Sequence, residues 1–352
     1  MSNFPCLVRS VSPSGRTCYS LGDPLVDRYL AFVGGRCRAN TLRAAAFDLK
    51  TFFSIVRKDP VEVRPLDVFE FLIAQRGDRS VVRIADRESG LSARTIARRL
   101  SSVSGFYAYL IARGDTAVTV NPVLRGLSTR NRNGSRRSTL APLVRVPRTL
   151  PTILSPGEVD RLMAALRTHR DRAMVLAMLL GGLRRCEVLG LRLADVWVGE
   201  RRVFIAEGKG GHHRVVPIAN GFLSAVGDYL DLERPKASPT ERLFVVLKGP
   251  RRGQPLSAEG LDEILDGARR RGGLEHGTCH ELRHTCLTRL REAGMALEAV
   301  QAQAGHRSIE STRIYLHLSN DWLAGEYQHA ASLIDADQAT LAELLAVQEA
   351  VG

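Results

Sequence analysis

The spacing of apolar residues predicts a helical first third of the chain. Between residues 41 and 56 the apolar positions recur with the 3.6-residue period of an amphipathic helix. A second long helix is predicted to begin at Ser92, a residue type that caps helix N-termini well, and shorter helices are expected at 23–33 and 65–75. The buried side of the long helix is predicted to contain Ile96, Leu100, Val103, Tyr107 and Leu110.

The pattern then changes twice. Residues 116–152 are polar and rich in Pro, Asn and Arg, which predicts an interdomain linker with too many breakers to form a core. After this linker, Ser155-Pro156 and Glu158 give a helix start signal: a cap, a Pro in the first turn and an acid three residues later. A buried helix is predicted at 173–180.

Two short β-rich runs, 202–206 and 215–218, predict a β-hairpin with Lys209 near its turn. More helices are predicted at 258–271, 280–293, 296–303 and, as an acidic amphipathic helix, 332–350. The fold class is therefore mainly α with a small β-hairpin (α+β). The predicted organisation is an N-terminal extension (1–20), a helical domain (21–115), a basic linker (116–152), a second domain (153–330) and an acidic C-terminal helix (331–352).

The charge balance favours an anionic partner. The chain has 352 residues, enough for about two domains, and a formal net charge of +13, which favours nucleic acid first and an acidic membrane surface second. Residues 1–115 carry 18 basic and 11 acidic side chains, and residues 116–152 carry seven Arg and no acid.

Other features exclude classes of protein. No apolar run is longer than the 11 residues of 173–183, too few to cross a bilayer, and the first 20 residues lack the apolar core of a signal peptide. The six cysteines form no CxxC pair, which is typical of a reduced, intracellular protein.

Two groups of arginines are candidates for binding DNA. Arg94 and Arg98 lie one turn apart on the long helix, with Ser101, Ser102 and Gly105 nearby, and this face could lie against a phosphate backbone. A solvated helix face would give the same pattern. The linker adds Arg125, Arg130, Arg132, Arg136 and Arg137.

Chemistry-bearing residues cluster in three stretches of the second domain. In the first, Arg184 and Glu187 are three residues apart and share a helix face, which suits either an anion clamp or a structural ion pair. In the last, His306 lies in a predicted turn and Tyr315 follows nine residues later. Neither residue would indicate a function by itself.

The middle stretch supports two interpretations. His280-Glu281-x-x-His284 matches a zinc hydrolase pattern, with Glu281 as general base and either Glu298 or His306 as a third ligand. Alternatively, His280 and Arg283 could face one phosphate together. The zinc interpretation explains neither the net charge nor Arg184.

Together, these residues resemble the tyrosine recombinase (phage integrase) family. The matching motifs are Gly-Leu-Arg-x-x-Glu at 182–187, a hairpin Lys flanked by Gly, His-x-Leu-Arg-His at 280–284, and Gly-His followed by Tyr nine residues later. The resemblance covers about residues 153–330, and the helical domain looks like that family's core-binding domain. The matching catalytic positions are Arg184, Lys209, His280, Arg283, His306 and Tyr315.

The resemblance implies two domains that close as a C-shaped clamp on DNA. It implies that Tyr315 attacks the scissile phosphorus to form a 3′-phosphotyrosyl link, while Arg184 and Arg283 hold the non-bridging oxygens. It also implies that Lys209 protonates the leaving 5′-oxygen. It further implies that His280 exchanges a proton with the tyrosine and that His306 donates a hydrogen bond to the phosphate. Glu187 is expected to fix the arginines or a histidine, and His284 is expected to lie beside the site without a defined role.

The resemblance further implies a reaction without metal or ATP. The expected partners are double-stranded DNA with specific core sites and three further copies of the chain, which together form a tetramer on two duplexes. Away from DNA the chain is expected to be a monomer or a weak dimer. No membrane contact is expected. The expected setting is the bacterial cytoplasm, at the nucleoid, and residues 331–352 are a candidate contact between subunits.

Three alternatives stay open on the sequence alone. A type IB topoisomerase uses a similar residue set to relax supercoils, a non-catalytic DNA-binding protein could keep the fold, and the zinc hydrolase would use residues 280–284. Within the recombinase interpretation, the expected roles are integration, excision or transposition of a mobile element, and inversion or dimer resolution is also compatible.

Overall fold

The structure, a computed structural model, describes residues 4–77, 90–124, 126–128, 140–141, 143–147, 151–206 and 213–306. The chain divides into two units, residues 1–148 and 149–352. Each unit has its own apolar core.

The first unit is built on the four predicted helices. Their apolar faces meet around aromatic side chains, of which Phe52, Phe71 and Phe106 are fully buried. Ser92 caps the fourth helix by accepting the N–H of Thr95 at 3.2 Å, as predicted. All five residues predicted on its buried side are buried. The helices are α1 (Pro24–Arg36), α2 (Ala39–Val56), α3 (Pro65–Gly77) and α4 (Ala93–Arg113).

A β-hairpin precedes these helices, and the apolar pattern did not predict it. Strand β1 (Val8–Val11) pairs antiparallel with β2 (Thr17–Ser20), and Phe4 packs against Phe53 with ring centroids 5.0 Å apart. All of β1 is exposed, so this strand lacks the apolar–polar alternation that marks a half-buried strand.

The predicted linker is less open than its composition indicates. Val118, Val123, Leu143 and Val144 pack against the core of the first unit. Two short strands between them, β3 (Leu127–Ser128) and β4 (Leu140–Ala141), pair antiparallel. The expectation that 116–152 holds no core residues is therefore wrong at both ends, because apolar residues between breakers still pack against an apolar surface.

The second unit is organised around a helix that is buried on nearly all sides. This helix, α6, confirms the predicted buried run at 173–180, and the predicted capping box forms between Ser155 and Glu158 at the start of α5. The helices are α5 (Pro156–Ala165), α6 (His169–Gly181), α7 (Arg185–Gly190), α8 (Asn220–Leu232), α9 (Ala258–Arg271), α10 (Cys279–Glu292) and α11 (Leu297–Ala304).

A three-stranded antiparallel sheet flanks these helices. Its order is β5 (Val196–Trp197), β6 (Arg202–Ile205) and β7 (Arg214–Pro217), so the predicted hairpin is confirmed and gains one more strand. Ile205 lies opposite Arg214 at the end of the β6–β7 pair from which the connecting residues 206–213 extend. In the part of the chain that the structure describes, no helix combines the length and apolar character needed to cross a bilayer.

Candidate active site

Arg184 and Glu187 form the contact that their spacing predicts. Helix α6 ends at Gly181, and the C-cap residue Gly182, with a φ of 64°, turns the chain toward α7. Arg184 is the N-cap residue of α7, and Glu187 in the first turn accepts from it: the backbone N–H and Nη1 of Arg184 donate to the two carboxylate oxygens at 2.9 and 2.8 Å. Its Nη2 donates to the carbonyl of Gly305 at 3.2 Å.

Glu187 is a buried carboxylate at which three arginines meet. Arg214, from β7, donates to both of its oxygens at 2.8 and 2.9 Å, and Arg283 Nη1 lies 3.9 Å from Oε2. Burial raises the pKa of Glu187, but hydrogen bonds and charge from Arg214 and then Arg184 outweigh burial and lower the pKa to about 2. Glu187 is therefore ionised at neutral pH.

Arg283 lies deep between two helix ends. It is 2% exposed and donates to the carbonyls of Gly182 and Ala304, the latter at 2.6 Å. Its Nη2 also lies 3.2 Å from Nε2 of His306. These contacts hold a permanently charged group at the junction of α6, α10 and α11.

The histidines form two contacts. His280 is exposed and its Nε2 lies 2.8 Å from that of His284, while His306 lies beside Arg283. Burial lowers the pKa of His306 to about 4, assisted by the charges of Arg283 and Arg184. Burial also lowers the pKa of His284 to about 4, assisted by His280 and Arg283. Both rings are neutral at pH 7 and can donate one hydrogen bond and accept another.

The zinc interpretation of residues 280–284 has little support in this geometry. The Glu281 carboxylate accepts the backbone N–H groups of Gly277 and Thr278 at 2.8 and 2.7 Å, so it caps α10. Glu298 is exposed on α11. Among the described residues, no three His, Cys, Asp or Glu side chains are grouped so that they could hold a metal ion.

Two predicted catalytic residues lie outside the described ranges. Lys209 falls in 207–212 and Tyr315 in 307–352. The structure describes the flanks of both: the paired strands β6 and β7 on either side of Lys209, and His306 before the Tyr315 segment. The acidic helix predicted at 331–352 also lies outside.

The predicted DNA face of the first unit is only partly a free surface. Arg94 is exposed, but Arg98 donates to the buried carboxylate of Asp48 at 2.6 Å, and Ser102 donates to the same oxygen at 2.8 Å. Gly105 faces inward, because a side chain there would meet the hydroxyl of Tyr29 at 3.0 Å. Arg125, Arg130, Arg132, Arg136 and Arg137 lie outside the described residues.

Sequence reasoning missed Arg214 and Asp48. Arg214 could have been predicted to point inward, since strand alternation puts it on the same face as the buried Val216. Asp48 interrupts the apolar face of α2, but its partners lie 50 and 54 residues away along the chain. In the second unit, three guanidinium groups around one carboxylate leave an excess of positive charge, which suits a phosphate.

Known proteins resemble this chain in sequence. Residues 152–321 match the phage integrase family, and residues 26–114 match the N-terminal SAM-like domain of phage integrases. Tyrosine recombinase XerC of Roseiflexus castenholzii is 32% identical over 308 residues, which cover 83% of this chain and 88% of that protein. Tyrosine recombinase XerD of Listeria monocytogenes serotype 4b is 29% identical over 320 residues, 86% of this chain and 97% of that protein.

Solved structures give the same fold. The XerH site-specific recombinase bound to palindromic difH substrate superposes with a TM-score of 0.62 at 20% identity, covering 88% of this chain and 84% of that one. The Tn1549 transposon integrase in complex with transposon right end DNA gives a TM-score of 0.62 at 19% identity, covering 87% of this chain and 98% of that one. At these identities the likeness concerns the fold.

Proposed function

The chain belongs to the phage integrase family of tyrosine recombinases, whose members are DNA strand-exchange enzymes, and from this we propose that it is a site-specific DNA recombinase. The observation that carries the proposal is the convergence of Arg184, Arg283 and His306 beside the buried Glu187. A cluster of fixed positive charge of this kind stabilises the crowded negative charge of a phosphoryl transition state.

In the proposed reaction, the phenol oxygen of Tyr315 attacks the scissile phosphorus and the bond from phosphorus to the 5′-oxygen breaks. Lys209 gives a proton to the leaving 5′-oxygen, and His280 takes the phenol proton. The products are a 3′-phosphotyrosyl link and a free 5′-hydroxyl. Attack by the 5′-hydroxyl of another strand reverses these steps and joins the new strands.

The described residues bind and orient the phosphate in this scheme. Arg184 and Arg283 contact the non-bridging oxygens, and the neutral His306 donates a hydrogen bond to the phosphate. Glu187 fixes the guanidinium of Arg184, and His284 limits the orientations of His280 through their 2.8 Å contact. The chemical energy of the cut bond stays in the phosphotyrosyl link, so the scheme needs neither ATP nor a metal ion.

The partner in this proposal is double-stranded DNA with specific core sites. The basic first domain and the arginines of 116–152 bind the duplex, and the catalytic domain cleaves it. Four copies act on two duplexes, and residues 331–352 contact a neighbouring copy. The setting is the bacterial cytoplasm, at the nucleoid.

Substitution of the nucleophile tests this function. We expect Tyr315→Phe to abolish the covalent protein–DNA adduct while binding stays within about 3-fold, because only the attacking oxygen is lost. The probe is a nicked duplex carrying the site that this protein selects from random-sequence DNA, and the adduct is measured on denaturing gels. Tyr327→Phe, at the next tyrosine along the chain, is the matched control and should retain the adduct. An adduct in Tyr315→Phe would contradict the assignment.

The same assay examines the alternatives. Adduct formation that survives EDTA agrees with the metal-independent scheme, whereas loss that zinc restores would support the hydrolase interpretation of 280–284. Joining between two labelled duplexes supports a recombinase, while relaxation of supercoiled plasmid without site preference supports a type IB topoisomerase. Binding without any adduct would support a non-catalytic DNA-binding protein.

The biological role has two candidates. Integration, excision or transposition of a mobile element is the first. Resolution of joined circular DNA is the second, favoured by 29–32% identity with XerC and XerD proteins over most of their length. Recombination of plasmids that carry the selected site separates them: resolution of directly repeated sites alone favours the second, and insertion into a separate target favours the first.

A further inference from the structure

Arg214 holds both oxygens of Glu187. It is the first residue of β7, and its side chain is 13% exposed. Nη1 donates to Oε1 at 2.8 Å and Nη2 to Oε2 at 2.9 Å, a parallel bidentate pair. Oε1 also accepts the bond from Arg184, so one oxygen is shared by two arginines.

The guanidinium of Arg214 fits against the end of α11. Its Nε donates to the carbonyl of Gln303 at 3.3 Å. At Gly305 a side chain would lie 3.0 Å from Cζ, Nε and Nη1 of Arg214, and φ there is 60°, so this close approach requires glycine. Arg214 therefore joins β7, α7 and the end of α11.

His213, the residue just before β7, packs on the side opposite to Arg214. His213 stacks on Phe204 at 5.7 Å with rings 13° apart, and Phe204 stacks on Trp197 at 6.0 Å. Because successive strand residues point to opposite faces, His213 and Arg214 fix the start of β7 from both sides. The segment that contains Lys209 ends immediately before this pair.

Resting on the function proposed above, we infer that Arg214 is a positioning residue for strand cleavage. It occupies both oxygens of Glu187, which keeps the carboxylate oriented toward Arg184 and 3.9 Å from Arg283. Without it, the carboxylate can turn to Arg283 and neutralise a charge that the scissile phosphate needs. Arg214 also has a second effect: it connects the strand that follows the Lys209 segment to Glu187, the carboxylate that orients the arginines.

Loss of Arg214 should change how cleavage depends on pH. The charged groups around Glu187 are Arg184 from α7, Arg214 from β7 and Arg283 from α10, and His306 lies beyond Arg283. Burial raises the pKa of Glu187, and Arg214 is the largest influence that lowers it. Loss of Arg214 therefore raises this pKa, and the carboxylate becomes protonated at a higher pH than in the wild type.

The test is single-turnover cleavage of the nicked duplex at saturating protein, from pH 5 to 8. We expect Arg214→Gln to cleave about 10- to 100-fold more slowly, as is common when a group that orients catalytic residues is lost. Its rate relative to wild type should fall further toward pH 5. Arg214→Lys keeps the charge but cannot bond bidentately, so its smaller loss should not change with pH. Duplex binding should stay within about 3-fold.

A double-mutant cycle shows whether Arg214 affects cleavage through Glu187. If Arg214 acts through Glu187, adding Arg214→Gln to Glu187→Gln should slow cleavage by less than about 3-fold. Arg234→Gln is the matched control: Arg234 is a partly buried arginine of the same unit that donates to the carbonyls of Thr240, Arg242 and Leu243. It should change thermal stability but neither the rate nor its pH dependence.

Several outcomes would overturn the inference: wild-type rates in Arg214→Gln and Arg214→Lys, effects that multiply in the double mutant, or an unchanged pH profile. If Arg214→Gln does not fold, Arg214→Lys carries the test, and a wild-type rate in that variant overturns it. A wild type that forms no adduct would instead refute the proposed function. The two failures are therefore distinguishable.

Discussion

Asp48 in the first unit and Glu187 in the second are both buried carboxylates held by arginines, but the arginine that donates to Asp48 is far more exposed than those that donate to Glu187. Asp48 joins α2 to α4 through Arg98, whose side chain is 51% exposed. The arginines on Glu187 are enclosed, and Arg283, the most buried of them, is 2% exposed. Arg98 is thus accessible to the backbone of a nucleic acid, whereas the enclosed arginines on Glu187 suit a small anion such as one phosphate group.

The charges along the chain follow the same division. Residues 1–152 have an excess of 14 basic side chains, since they carry 25 basic and 11 acidic residues, whereas residues 153–330 carry 25 basic and 22 acidic. A diffuse positive surface raises affinity for any duplex and is screened by salt. Enclosed charges are screened much less and can favour one transition state. In the function proposed above, DNA binding and catalysis therefore use different arginines.

The largest effect is expected where an enclosed arginine is lost. Arg283→Gln should lower the cleavage rate constant about 10²–10³-fold, because one donor to the transition state disappears. Duplex binding should stay nearly unchanged, and the measurement is single-turnover adduct formation at saturating protein. Arg98→Gln is the counterpart in the first unit and should cleave at the wild-type rate under saturation. A loss below about 10-fold in Arg283→Gln would remove the distinction between the two clusters.

An intermediate effect is expected on binding when the exposed pair is lost. Arg94→Gln combined with Arg98→Gln should weaken duplex binding and reduce the slope of log K against log salt by about 2, one for each phosphate contact. Titrations at several salt concentrations measure this slope. Arg113→Gln, at the far end of α4 beside Asp115, is the control. An unchanged slope would favour the solvated-face interpretation of Arg94 and Arg98.

The smallest effect on chemistry is expected at the buried carboxylate of the first unit. Asp48→Asn should destabilise the fold by about 1–3 kcal/mol, because Arg98 and Ser102 lose a charged acceptor. Denaturant unfolding measures this change. Cleavage at saturating protein should be unchanged, whereas Glu187→Gln should slow it. Equal slowing by both substitutions would mean that the two carboxylates serve one purpose.

The sequence predicted the elements whose signals are local. The period of α2 and α4, the cap at Ser92 and the capping box of Ser155 and Glu158 each depend on residues within a few turns. The pair Arg184–Glu187 was predictable for the same reason, since its members are three residues apart.

Elements whose stability comes from distant partners were missed. Helix α8 contains Gly221 and Gly227, has no side-chain N-cap, and packs against α6, with Phe222 and Tyr229 buried in the same core. The bonds from Arg214 to Glu187 span 27 residues, and the contact of Arg283 with Ala304 depends on where α11 ends. No spacing rule within one element could predict these contacts.

The deep seat of Arg283 has a further consequence. Its guanidinium is held by carbonyls where α6 and α11 end, and the C-terminal ends of helices carry the partial negative charge of aligned peptide dipoles. Partial charges of this kind stabilise a buried cation and add to the effect of the Glu187 carboxylate, which lies 3.9 Å away. Backbone carbonyls thus take the place of water around Arg283, which lets a permanently charged guanidinium remain in a site that is almost closed to solvent.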